Sequence, residues 1–326
     1  MKTKKKIGLV LGSGGARALA QIGVLKILER ENIQPDLIVG SSMGAFIGGV
    51  YAAGVSIEKI EQVACRTSMK FTARMLTPGL PTSGLVDLNR VRKFLKELGA
   101  DVNIEDLNIP FAAIATDFTT GEEVILNSGS LIEAIISSVA LPVLFMPNYY
   151  QQKFLVDGGV INPLPVNIAY KMGADIVIAV NVAHSPGISF QKKNGKSKRT
   201  AIIRKNLSRL RNNIFQKMKK TDRLKLPASA LESYLAGNNS KKNIPEPPGI
   251  INNMLQGAYI LENRIIQLQL QLAKPDILIS PDVSDFNMLH FHRAKELIAI
   301  GEKTADKMLP QIKEIVETLL ERHYVV

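Results

Sequence analysis

The chain contains one cysteine, Cys65, so an intramolecular disulfide and a cysteine-built metal cluster are both excluded, as suits a reducing compartment. Histidine is nearly as scarce: His184, His290, His292 and His323 all fall late, far from the motifs of the first half. A run able to cross a bilayer is also missing. Leu37 to Ile57 is uncharged over a membrane-spanning length, yet it holds five glycines and reads as a buried strand followed by a buried helix. The start, six residues with four lysines and then Ile7 to Leu11, imitates a secretory leader. Its apolar stretch is too short, and a glycine cluster and Arg17 break it. Acidic residues are almost absent from Gln191 to Lys225, which holds fourteen Lys/Arg and only Asp222 against them. That stretch accounts for the whole net charge of +12 and leaves the rest near neutral.

What is present is the composition of a globular protein, with 46% hydrophobic and 21% charged residues, in a chain long enough for a sizeable core. Its most informative stretch is Gly40-Ser41-Ser42-Met43-Gly44, which ends the apolar run Leu37 to Val39 and fits G-x-S-x-G with Ser42 at the centre. A serine on a sharp strand-to-helix turn presents its hydroxyl, and the flanking glycines leave room where strand and helix crowd together. Upstream stands Gly12-Ser13-Gly14-Gly15-Ala16-Arg17, and downstream Asp157-Gly158-Gly159. Strands are predicted at 5–11, 37–39, 111–116, 123–126, 154–156, 176–182 and 277–279. Helices are predicted at 16–31, after Ser42 to about Gly54, and at 130–138, 165–172, 289–300 and 307–324. Strands alternating with helices predict a largely parallel α/β sheet, whose sites form at the carboxyl ends of strands. Gly12, Ser42 and Asp157 each follow a predicted strand.

Such a set suits acyl transfer, which needs a nucleophile, a base and donors to the developing oxyanion. The glycine loop has a rival reading as a dinucleotide fingerprint, with Asp36 as the ribose acid. Arg17 at the sixth position and the placing of Asp36 before the second strand count against it. For the base, a Ser-Asp-His order using Asp157 with His290 or His292 is formally open. The nucleophile follows only the second strand, however, which is early for an ordinary α/β-hydrolase, and the histidines fall at a helix start. Asp117 is a further acid, read as a turn cap.

These three blocks resemble the signatures of the patatin-like phospholipases. Ala115-Thr116-Asp117-Phe118, Ser137 to Pro142, Phe145-Met146-Pro147 and the closing stretch from Asp285 to Glu302 are similar to bacterial members related to neuropathy target esterase. The resemblance covers roughly 5–185 and 250–305. It implies a three-layer α/β/α hydrolase with a largely parallel central sheet, and a Ser42–Asp157 dyad without histidine, metal or cofactor. The oxyanion hole would come from Gly12, Ser13, Gly14 and Gly15, with Arg17 close behind. Ser13 and Ala18 depart from the pattern, standing where many relatives have glycine.

The basic stretch adds an amphipathic helix. Ile203, Leu207, Leu210, Ile214 and Met218 share one face, and Arg204, Lys205, Arg209 and Arg211 lie among the charges around it. These four are the candidate contacts to an anionic membrane surface; nucleic acid is not expected, since no binding module is recognisable. The expected organisation is a catalytic core at 1–187, a basic insertion at 188–249 and a closing part at 250–326. The expected activity is cleavage of carboxylic esters of lipids, of phospholipase A or lysophospholipase type, in the cytoplasm at the inner membrane face. A soluble short-chain carboxylesterase and a non-catalytic lipid-binding protein of the same fold are the alternatives.

Overall fold

The computed structural model describes residues 5–67, 88–142, 144–183 and 250–321. They carry an eight-stranded sheet. Its parallel part is built from β1 (Ile7–Leu11), β2 (Leu37–Ser41), β3 (Phe111–Asp117), β7 (Ile176–Val180) and β8 (Ile277–Ile279), adjacent in the order β8-β7-β1-β2-β3. β4 (Glu123–Leu126) runs antiparallel to β3, as does β6 (Lys153–Asp157), and β5 (Asn148–Tyr150) forms a hairpin with β6. Gln151 and Gln152 turn that hairpin with φ of 48° and 62°, the backbone a two-residue turn between twisted strands demands.

Between the strands lie α1 (Ala20–Arg30), α2 (Met43–Ala52), α3 (Ile57–Arg66), α4 (Leu88–Leu98), α5 (Leu131–Val139), α6 (Val166–Lys171), α7 (Ile250–Leu272) and α8 (Ala294–Glu321). The central strands β1, β2, β3 and β7 read as near-continuous apolar runs because both faces are covered. Leu9, Leu11, Ile38 and Phe111 pack into the layer containing α1, α2, α3, α5 and α8, while Val10, Val39, Ala112 and Ile114 pack against α6 and α7. This is a three-layer α/β/α architecture.

Several boundaries differ from expectation for local reasons. The predicted helix over 16–31 begins as a 3-10 turn, Gly15–Leu19, because the loop must close before a regular helix can start. The two expected closing helices are one, α8, with Pro310 inside it. Their predicted start at 289 is instead loop and a short 3-10 turn, Phe291–Arg293. α3, α4, α7 and β5 had no counterpart in the sequence reading. The basic stretch, including Arg204, Lys205, Arg209 and Arg211, lies outside the described residues. Among the described residues no helix is long and apolar enough to cross a membrane.

Candidate active site

β2 ends at Ser41 and α2 begins at Met43, so the whole change of direction falls on Ser42, with φ 55° and ψ −126°. A residue bearing a Cβ holds such a backbone at a cost of about 1–3 kcal/mol, and only where its surroundings over-determine it. Here the Ser42 N–H donates to Ser138 Oγ at 2.9 Å, and that hydroxyl donates to the Ile114 carbonyl at 2.5 Å. The flanking glycines are required by close approach. A Cβ on Gly44 would strike the carbonyls of Leu11 and Gly12, and one on Gly40 would strike the Ala45 backbone.

Asp157 reaches Ser42 through the sheet. β4 occupies one flank of β3 opposite Ala113 to Thr116, so β2 and β6 must share the other flank. They run in opposite directions and meet end to end: Ser41 pairs with Ile114, and Asp157 with the next residue, Ala115. Ser42 Oγ consequently donates to Asp157 Oδ2 at 2.6 Å. Asp157 Oδ1 accepts the Gly159 N–H at 2.7 Å, and Thr116 Oγ1 donates to the Asp157 carbonyl at 2.9 Å.

Asp157 is only 3% exposed. Burial raises its carboxyl from the ordinary 3.8 to about 7; the hydrogen bonds from Ser42 and Gly159 oppose the rise and the nearby Glu262 carboxylate adds to it. A carboxylate with that value can exchange a proton near neutrality. Neither described histidine stands between the pair: His290 is bonded to Asn287, and His292 is exposed. His184 and His323 lie outside the described residues.

Part of the glycine loop's backbone is already hydrogen-bonded within the fold. The N–H groups of Gly12 and Ser13 already donate to the carbonyls of Val180 (3.1 Å) and Pro163 (2.8 Å), and that of Arg17 donates to Gly14 (3.2 Å). These three tie the loop down and are not free to meet an oxyanion. Among the described residues, the N–H groups of Gly14 and Gly15 carry no hydrogen bond, and Gly15 takes φ +57°. The Met43 N–H opens α2 and has no intrahelical acceptor. The Arg17 side chain lies behind the loop, 4% exposed, stacked 3.7 Å above the Tyr259 ring.

The rival readings fall away on geometry. Asp36 accepts the Ile7 N–H at 2.8 Å, at the amino ends of β1 and β2, the opposite end of the strands from the glycine loop, where no ribose could meet that loop. Asp117 caps its own turn through the N–H groups of Thr119 and Thr120, at 2.9 and 3.3 Å. Two residues at the site were missed in the sequence. Ser138 fell within a recognised block without an assigned role. Glu262 left a usable sign: it is the sole acid of α7, four residues before Ile266 on the helix's buried face.

A cavity of about 220 Å³ opens at Ser42 and Asp157. Gly15 is at its polar end, and Phe46, Ile47 and Val50 of α2, Ile60 and Ala64 of α3, and Val91, Phe94 and Leu98 of α4 line it further in. From Met43 to Val50 the helix rises about 10 Å, so the apolar channel is several carbons deep.

Residues 9–170 match the patatin-like phospholipase family. An uncharacterized NTE family protein of Mycobacterium tuberculosis is 30% identical over 93% of this chain and 91% of its own length. Neuropathy target esterase sws of Drosophila melanogaster is 35% identical over 55% of this chain but 13% of its own length. Human patatin-like phospholipase domain-containing protein 6 is 36% identical over 55% and 14% respectively. The glycine loop, the strained serine turn and the aspartate that meets it are thus set in a chain that belongs to the patatin-like phospholipase family, among its NTE-type members.

Proposed function

We propose that this chain is a serine acyl hydrolase that cleaves the carboxylic ester of a long-chain lipid, of phospholipase A or lysophospholipase type. The observation that carries the reading is the 2.6 Å hydrogen bond from Ser42 Oγ to Asp157 Oδ2 in the lining of an apolar cavity. Ser42 Oγ attacks the ester carbonyl as its proton passes to Asp157. The carbonyl oxygen becomes an oxyanion facing the N–H groups of Gly14 and Gly15, each such donor contributing about 3 kcal/mol to the transition state. Collapse expels the alcohol, which takes the proton from Asp157. Water then attacks the acyl-Ser42 ester, gives Asp157 a proton, and leaves the fatty acid and a reprotonated serine.

The depth of the apolar channel favours a long acyl chain over a short one, because each buried methylene adds about 0.8 kcal/mol of binding. Mass spectrometry after fluorophosphonate treatment should find the label on Ser42, and defined phospholipids and lysophospholipids should be hydrolysed by the wild type but not by Ser42→Ala. Labelling elsewhere with Ser42 free overturns the assignment; turnover of short esters alone selects the soluble carboxylesterase. An anionic membrane surface at the inner membrane face is the proposed partner, on the charge of residues 191–225. Replacing Arg204, Lys205, Arg209 and Arg211 with glutamine should weaken vesicle binding most at low salt, where the screening length is longest.

A further inference from the structure

Beyond the Ser42–Asp157 pair, a second buried acid crowds the Asp157 turn. Glu262, on α7, is 6% exposed. A buried carboxylate is costly unless compensated, and its compensation comes from the glycine loop. Burial pushes the Glu262 carboxyl above its ordinary range, and the hydrogen bond from the Ser13 hydroxyl and the Arg17 guanidinium beside it only oppose that rise. Yet Arg17 is stacked on Tyr259 and forms no direct bridge; Arg17 Nη2 and Glu262 Oε1 are both buried without a hydrogen-bond partner. Gly159 is where these groups converge. A methyl group built there would lie 2.7 Å from Ser13 Oγ, 3.1 Å from Asp157 Oδ1 and 3.3 Å from Glu262 Oε1. The two carboxyl groups therefore face each other across a residue without a side chain.

We propose that Glu262 is a positioning residue for the reaction at Ser42, acting on the glycine loop through Ser13 and on Asp157 through its charge. The first effect is mechanical. Ser13 precedes Gly14 and Gly15, so holding its side chain fixes the direction in which their N–H groups point. The second is electrostatic. The groups facing Glu262 are Asp157 from the β6 turn, Arg17 from the loop and Tyr259 from its own helix. A negative Glu262 disfavours a negative Asp157 and so makes it hold the Ser42 proton more firmly. Arg17 moderates this by attracting Glu262. The inference rests on the Ser42–Asp157 reading of the site but not on the identity of the ester.

The test is the rate of fluorophosphonate labelling of Ser42 as a function of pH, which reads the activation of the serine without any substrate. Glu262→Gln keeps the size and an acceptor for Ser13 while removing the charge. Its acidic limb should move about one pH unit lower than in the wild type, as loss of a neighbouring like charge requires, with a several-fold lower plateau. Superimposable profiles in two folded proteins overturn the electrostatic arm. Ser13→Ala removes only the link to the loop; it should slow labelling several-fold with the limb in place, and an unchanged rate overturns the mechanical arm. This second variant keeps the proposal testable should Glu262→Gln fail to fold. A wild type that labels at Ser42 yet hydrolyses no lipid removes the lipid-hydrolase reading alone, whereas a wild type that does not label removes both.

Discussion

Asp157 and Asp117 close neighbouring antiparallel strands, yet their carboxylates have opposite chemistry. Asp157 has protein on every side, a serine hydroxyl on one oxygen and a second acid nearby, and its carboxyl is raised to about 7. Asp117 ends β3 at the rim, where its own turn and Lys153 cover it but little protein lies beyond. The Thr119 N–H, then Lys153 and the Thr120 N–H, hold its carboxyl below the ordinary range, against a smaller opposing effect of desolvation. Both residues end an apolar strand and precede a turn containing glycine. The two are almost equally covered, 3% and 5% exposed. The difference teaches that a strand-end aspartate holds a proton near neutrality only where desolvation outweighs its hydrogen bonds and ion pairs, a balance set by what packs around the sheet.

The largest effect that would break the comparison is on turnover. Asp157→Asn and Ser42→Ala should each lower kcat by about three to four orders of magnitude, while Asp117→Asn should stay within about two-fold. A matching loss in Asp117→Asn would put the base in the wrong strand. Backbone crowding gives the next effect. A Cβ on Gly158 would strike the Ile114 carbonyl, so Gly158→Ala should destabilise by about 1–3 kcal/mol and take activity with it. Gly121, in the Asp117 turn, has φ +75° and open space around it. Gly121→Ala should cost about 1 kcal/mol, from backbone strain alone, and spare kcat. Denaturant titration of both variants checks the pair.

The pH dependence sharpens the contrast. The folded value of Asp157, about 7, lies above the ordinary 3.8, so between them the native state keeps a proton that the unfolded chain has released. The stability this group contributes therefore falls as pH rises through that window. Asp117 acts in the opposite sense: its contribution is complete above the ordinary value and is lost as pH falls through its lowered one. Thermal unfolding of Asp157→Asn should show a smaller loss of stability between about pH 4 and pH 7 than the wild type, and Asp117→Asn an unchanged one. Activity should rise through about pH 7, because the base must be deprotonated. The smallest effect expected is that of Thr116→Val, which removes the 2.9 Å bond to the Asp157 carbonyl and should cost about 1 kcal/mol with little change in kcat.

Much of this was legible in the chain. Strand β8 falls where its apolar run predicts, since a largely buried strand shows itself as a short apolar block between turn residues; β4 falls at its predicted bounds although Leu126 is its one buried residue. The serine turn and the Asp157 turn were legible because their glycines are demanded by contacts close in space to the motif itself. α3 and α4 were not singled out, although Ile57, Ile60 and Ala64, and Val91 and Leu95, bury one helical face. The long α7 hid behind a proline-rich approach and an amide-rich composition with few charges to mark its exposed side.

The sequence by itself determined which residues could carry the chemistry: a serine between glycines after a strand, an aspartate before two glycines, and a glycine loop after the first strand. Tertiary structure alone decided how they act. Ser42 and Asp157 are 115 positions apart and meet because β2 and β6 abut on one flank of β3, a pairing no local pattern encodes. Only the hydrogen-bond register around the loop showed that Gly12 and Ser13 anchor it, leaving Gly14 and Gly15 their N–H groups. Glu262 became part of the site because α7 packs that face onto the loop, and the basicity of Asp157 exists only once that packing has removed the water.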